Sequence, residues 1–184
     1  MKKIIVTLML MFTANAGLLV EPYLGYDIGK FSTEISGTEF EWTTNGPVVG
    51  GRLGYTFLTF MAGVDYSITT LDAEIDTAGY TSTLSDFDGN HLGIFAVVEL
   101  PVLLRAWATY FLSSKLTDND DDEYDGSGFG LGVGFTGLPF VSLNLEYRSM
   151  TYDEFTDVSA GTTSTDRDYD VSEILFTVSL PLDL

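Results

Sequence analysis

The chain has 184 residues, no cysteine, 45% hydrophobic and 14% aromatic residues, and a formal net charge of −19 at pH 7. The length fits one domain, the missing cysteines exclude disulfides and thiolate metal sites, and the charge argues against nucleic acid because phosphate would be repelled. A chain this acidic yet this hydrophobic is not disordered, so its charged and apolar residues must be segregated.

Residues 1–16 read as a secretory signal. Lys2 and Lys3 form a basic start, 4–12 an apolar run, and Ala14-Asn15-Ala16 places small residues where a signal peptidase cuts. The run is too short to cross a bilayer as a helix, which needs about 20 residues. Cleavage after Ala16 would remove two lysines and no acid, leaving a mature domain over 17–184 that is more negative still. No later apolar run is long enough for a helix. A membrane protein of this sequence must therefore be a closed barrel, because an open sheet would leave backbone groups unpaired in lipid.

From Gly17 onward the dominant pattern is alternation with period two. It predicts strands over 18–30, 46–58, 60–71, 89–100, 103–115, 127–136, 139–151 and 169–182. Such lengths suit tilted membrane strands, which cross with about 9–11 residues. Pro22, Pro47, Pro101, Pro139 and Pro181 are expected near strand ends or turns. Long polar links, 31–45, 72–88, 116–126 and 152–168, alternate with tight turns near Thr59, Pro101 and Leu138. That asymmetry matches long extracellular loops and short periplasmic turns. An even strand count leaves both termini on the periplasmic side.

One face of each strand is apolar, as in Leu24, Tyr26 and Ile28, or Ala62, Val64 and Tyr66. Tyr26, Tyr66, Tyr110 and Tyr147 lie toward the long links and Phe57 and Phe60 at a short turn, as in two interfacial girdles. The opposite face mixes Glu21, Asp27, Arg52, Asp65, Glu99, Arg105, Glu146, Arg148 and Glu173 with Tyr23, Met61, Phe95, Trp107 and Phe111. It also carries Gly128, Gly130, Gly132 and Gly134. A soluble barrel would turn that face to water. Large aromatics and a glycine strip suit a packed interior better. The expected fold is all-β, an eight-stranded antiparallel up-and-down transmembrane β-barrel.

The sequence resembles the small eight-stranded outer-membrane barrels of the OmpA-like and OmpX-like kind, from Gly17 to Leu184. The resemblance rests on the signal segment, the opening Glu21-Pro22-Tyr23-Leu24-Gly25-Tyr26, the link alternation and the last strand, Ile174-Leu175-Phe176-Thr177-Val178-Ser179-Leu180. It implies residence in the bacterial outer membrane, contact with outer-membrane lipid and insertion by the barrel-assembly machinery. Such barrels often end in an aromatic residue that this machinery reads. This chain instead ends Pro181-Leu182-Asp183-Leu184.

Charges projecting into one lumen should pair, since a buried unpaired ion is costly. Arg52, Arg105 and Arg148 are expected to bridge Glu21, Asp65, Glu99, Glu146 and Glu173. An eight-stranded barrel is just wide enough for side chains to fill, so no open pore is expected. His91 is the single histidine and has no His-x-Ser spacing, which argues against an enzyme. In the third long link, Asp121, Glu123, Asp125 and Gly126 resemble half an EF-hand loop, but Gly132 stands where its last acid belongs. Ca2+ or Mg2+ there competes with a simple solvated acidic loop; no other cofactor is expected. The leading expectation is a monomeric structural or surface-interaction barrel, with acidic loops suited to a basic partner. The alternatives are a narrow channel for small or hydrophobic solutes and a lipid-modifying enzyme.

Overall fold

A computed structural model describes residues 16–35, 38–77, 80–165 and 168–184. Apart from Ala16, the signal segment lies outside the described residues. The strands are β1 (Ala16–Ile35), β2 (Thr38–Phe57), β3 (Phe60–Thr77), β4 (Tyr80–Leu100), β5 (Leu104–Thr117), β6 (Glu123–Phe135), β7 (Ser142–Asp157), β8 (Thr162–Ser164), β9 (Tyr169–Ser179) and β10 (Leu182–Asp183). The first seven pair in sequence order, β7 then pairs with β9, and β9 closes on β1, every pair antiparallel. Eight strands thus form the wall. Short β8 folds back on the end of β7. β10 continues β9 in the same register against β1, interrupted at Pro181, which has no N–H to donate.

The stagger of the barrel can be traced through its register. Val20 lies across from Leu53, then Val64, Ile94, Tyr110, Phe129, Ser149 and Ser172, and the circuit returns to β1 at Lys30, ten residues along. A stagger of this kind requires strands tilted against the barrel axis.

The alternation places the faces as expected. Leu24 and Val49 point outward, 64% and 62% exposed, while Glu21, Arg52 and Asp65 are buried. An outward apolar belt this continuous needs lipid to cover it. Tyr26, Tyr66, Tyr110 and Tyr147 lie outward at one end of the belt, with Phe57, Phe60, Phe135 and Phe140 outward at the other.

The long links differ from expectation. Most of 31–45 and 72–88 is strand, and only five residues, 118–122, separate β5 from β6. Twenty-residue β1 and β2 exceed the span of lipid. Above it the pairing continues because the inward side remains apolar: Phe31, Leu71, Ala73, Phe87, Leu116, Tyr152 and Val171 cluster there. Polar outward residues made these segments resemble loops. Pro47, expected near a strand start, lies in mid-β2, and the β2–β3 ladder lapses between Asn45 and Val48. The turn expected at 137–139 is a longer link, with β7 beginning at Ser142.

β5 carries a bulge that the alternation did not show. Phe111 pairs with Gly128 and Ser114 with Gly126, so Leu112 and Ser113 together occupy one step of the β6 ladder. The bulge reverses the inward parity, and Ser114 and Leu116 point inward above it.

An epitope inserted at Ser159–Gly161, an exposed turn between β7 and β8, should be reached by antibody on intact cells. A cysteine introduced at Thr59, in the β2–β3 turn, should stay unlabelled by an impermeant maleimide. Labelling at Thr59 on intact cells would reverse the orientation.

Candidate functional site

The lumen is the one place where charged side chains converge out of water. Arg52, on β2, donates from Nε to Asp65 Oδ2 at 2.7 Å and from Nη2 to Glu146 Oε2 at 2.8 Å, with Nη1 3.8 Å from Glu21. Arg105, on β5, grips Glu21 with both terminal nitrogens, Nη1 at 2.9 Å from Oε2 and Nη2 on Oε1. Its Nη2 also donates to Asn144 and Ser179. Arg148, on β7, donates from Nε to Glu146 Oε1 at 2.8 Å, and from its two Nη atoms to Ser67 and to the Tyr23 hydroxyl. Tyr23 in turn donates to Asp65 at 2.8 Å, and Trp107 Nε1 to Glu146 at 2.9 Å. Bidentate, charge-assisted bonds of this type are the strong ones. Arg52 also lies 4.5 Å from the centroid of Trp107, and Arg148 4.8 Å from that of Phe111, where the ring faces attract a cation.

Apolar layers lie on either side. Leu19, Met61, Phe95, Val97 and Trp107 close the short-turn side. The cluster around Phe31, Phe87 and Tyr152 closes the other, with Trp42, Tyr124 and Tyr169 packed on it. The glycines of β6 make this filling fit. A Cβ on Gly132 would stand 2.1 Å from the Trp107 ring, and one on Gly134 2.8 Å from Arg105 Nε. They are there so that large side chains from β5 can lie against β6.

Of the eight residues expected in the network, Glu21, Arg52, Asp65, Arg105, Glu146 and Arg148 are joined. Glu99 is not. It is exposed near the end of β4 and makes no ion pair among the described residues. Water solvates its carboxylate, so nothing forces it to pair. Glu173 is fully buried, yet neither carboxylate oxygen has a hydrogen-bond partner, and Asp27 is in the same condition. Sequence reasoning missed the neutral members Tyr23, Ser67, Asn144, Trp107 and Ser179. Their inward parity was readable, but their partners lie on strands far away in the chain.

His91 does meet a serine. Its Nδ1 is 2.7 Å from Ser114 Oγ, which is 2.7 Å from the Tyr152 hydroxyl. The β5 bulge creates this pair by turning Ser114 inward. A nucleophile and a base in hydrogen-bond reach are a catalytic signature, but all three residues are fully buried beneath the aromatic cluster and no carboxylate orients the ring.

No family model and no curated protein sequence matches this chain. Solved structures do. Ail, the attachment invasion locus protein of Yersinia pestis, superposes with a TM-score of 0.55 at 12% identity, covering 90% of this chain and 99% of Ail. OprG from Pseudomonas aeruginosa gives 0.52 at 10% identity over 93% and 98% of the two chains. Neisserial surface protein A gives 0.50 at 17% identity over 86% and 96%. The chain has the fold of the small eight-stranded outer-membrane barrels.

At the end of the barrel opposite the β2–β3 turn, the expected metal ligands do not converge. Glu123 and Asp125 share the Lys115 ammonium, at 2.9 and 3.4 Å. The barrel's own cation therefore occupies the position a metal would take. Asp121 sits in the 118–122 turn with φ of 64°. There Asp118 Oδ1 accepts the backbone N–H of Asp120 and Asp122, and Asp122 accepts that of Val158, tying the third link to the fourth. Among the described residues no three His, Asp or Glu side chains group around a metal position.

The hydrogen bond that Lys115 donates to Glu123, with Asp125 beside it, holds Lys115 above its ordinary pKa of 10.5. Because the folded value is raised, the contribution is fully present below pH 10.5 and is lost as pH rises through the folded value. Hydrogen exchange at 115–125 should therefore speed up at alkaline pH beyond the intrinsic base-catalysed rate. Lys115→Met should lack that extra step, and an identical step in the variant would remove Lys115 as its cause.

Proposed function

We propose that this barrel is a non-conducting, non-enzymatic monomer of the outer membrane that presents an acidic rim to a partner of basic character. The observation that carries the reading is the lumen: two apolar layers enclose a network in which every arginine is held by carboxylates. A water path through it would have to break several buried ion pairs at once. The same burial argues against catalysis at His91, since a substrate would have to displace the aromatic cluster. The closed wall of eight strands leaves no edge within the apolar belt for another copy to pair with.

The rim supports the partner's chemistry. Asp118, Asp120, Asp121, Asp153, Glu154 and Asp168 leave the barrel at one end, where Lys30 and Lys115 are already engaged by Glu41 and Glu123. Ail was crystallised with the heparin analogue sucrose octasulfate; the acidic rim of this chain would repel such a polyanion.

Planar-bilayer recording of the refolded barrel tests the first half, with no discrete conductance steps expected. Steps that persist after purification to homogeneity would favour the channel. For the second half, an oligolysine peptide should bind barrels held in uncharged micelles, and more weakly as salt screens the charges. Binding that ignores salt, or none at low salt, would remove the acidic rim from the function.

A further inference from the structure

Among the described residues the buried lumen holds five carboxyl groups, Glu21, Asp27, Asp65, Glu146 and Glu173, against three guanidinium groups, Arg52, Arg105 and Arg148. Two carboxyls are left over without a guanidinium partner. They are Asp27 and Glu173, whose four oxygens are buried without a hydrogen-bond partner. Arg148 lies directly across from Glu173 in the β7–β9 ladder. Its guanidinium nevertheless turns away, toward Glu146, Ser67 and Tyr23. The arginine best placed to neutralise Glu173 is committed elsewhere.

The two acids share a neighbourhood. Gly29 on β1 pairs with Thr44 on one side and Glu173 on the other. A Cβ on Gly29 would meet Thr44 Oγ1 at 2.7 Å and Glu173 Cγ at 3.2 Å, so both side chains lean over the glycine. Asp27 lies two residues along the same inward face, across from Gly46, which brings no side chain of its own. Thr44 Oγ1 is itself buried and unpartnered. Three adjacent strands, β9, β1 and β2, thus each carry unpartnered oxygen at neighbouring inward positions of the ladder. Phe31 and Val171 cover it from above, paired one step beyond Gly29 and Glu173 on the inward face.

An ionised carboxylate buried without a counter-charge is heavily penalised, and the usual remedies are pairing or a metal. Oxygen donors alone, with two negative charges, are the ligand set of a hard divalent cation completed by water. We propose that Asp27 and Glu173, with the Thr44 hydroxyl, bind a single divalent cation of the calcium or magnesium class, enclosed in the lumen during folding. The ion balances the lumen's charge and ties β9 to β1 and β2 beside the seam where the barrel closes. Because apolar side chains cover it, it exchanges slowly. Cations at the exposed acidic rim would exchange at once, and that difference separates the two.

The test refolds the barrel into micelles with calcium, in a parallel arm with magnesium, strips loosely held ions on a chelating resin at neutral pH, and measures metal by mass spectrometry. The parent should retain stoichiometric metal in one arm and release it on unfolding. Asp121→Asn with Asp125→Asn, on the rim, should retain as much. Asp27→Asn with Glu173→Gln should fold and retain none. Thr44→Val, which leaves both carboxylates, should retain the ion but lose it faster. A parent that keeps no metal in either arm overturns the proposal and leaves the two carboxyls neutralised by protons alone. Equal retention by the Asp27→Asn, Glu173→Gln protein also overturns it, since the ion would then lie elsewhere.

Discussion

Val64→Arg is expected to destabilise the lipid-embedded barrel by about 2–4 kcal/mol, the cost of an arginine on the lipid face near the bilayer midplane. Val64 is the middle of five outward apolar residues on β3, with Phe60 and Ala62 toward the short turn and Tyr66 and Ile68 toward the rim. Leu53 and Ile94 flank it across the ladders. An arginine there has no water within easy reach. Leu143, although also lipid-facing, is the second residue of β7, close to the short-turn end. Leu143→Arg can reach the interface, and its cost should fall toward about 0–1 kcal/mol. Urea unfolding in thin-bilayer vesicles measures both. Equal costs would mean that the belt is centred nearer the turns; no cost at Val64 would mean that this face does not meet lipid.

Glu146→Ala is expected to cost about 3–5 kcal/mol, the range for removing one partner of a buried ion pair and stranding the others. Glu146 is the hub of the lumen. It accepts from Arg52, Arg148 and Trp107 at 2.8 to 2.9 Å. Its loss leaves two buried guanidinium groups short of a carboxylate. Lys115→Ala is the contrast. It removes a pair whose partners are about one-third exposed, and such pairs are worth about 0–1 kcal/mol. If the two substitutions cost the same, water reaches the lumen freely and the network is screened. That outcome would also reopen the channel reading.

Much of this architecture was legible in the sequence because a strand in lipid is a local object. Its side chains alternate with period two, its backbone must be paired, and its outward residues must be apolar. Val64 and Asp65 therefore declared their faces without reference to any distant residue. The inward parity of Arg52, Arg105, Arg148 and Glu146 was readable for the same reason, and so were the closed barrel and the order of its strands.

What only the tertiary structure decided depends on the stagger, which belongs to the whole ring. A ten-residue offset around eight strands determines which acid meets which arginine, and no segment of sequence carries it. It places Arg105 on Glu21, leaves Glu99 exposed to solvent, and turns Arg148 away from Glu173. The bulge at Leu112 and Ser113 acts in the same way, since one extra residue in one strand is enough to bring Ser114 to His91. The acids and arginines of the lumen are a property of the composition; their pairing is a property of the closed sheet, because closure alone brings β1 to β9 and gives the circuit its pitch.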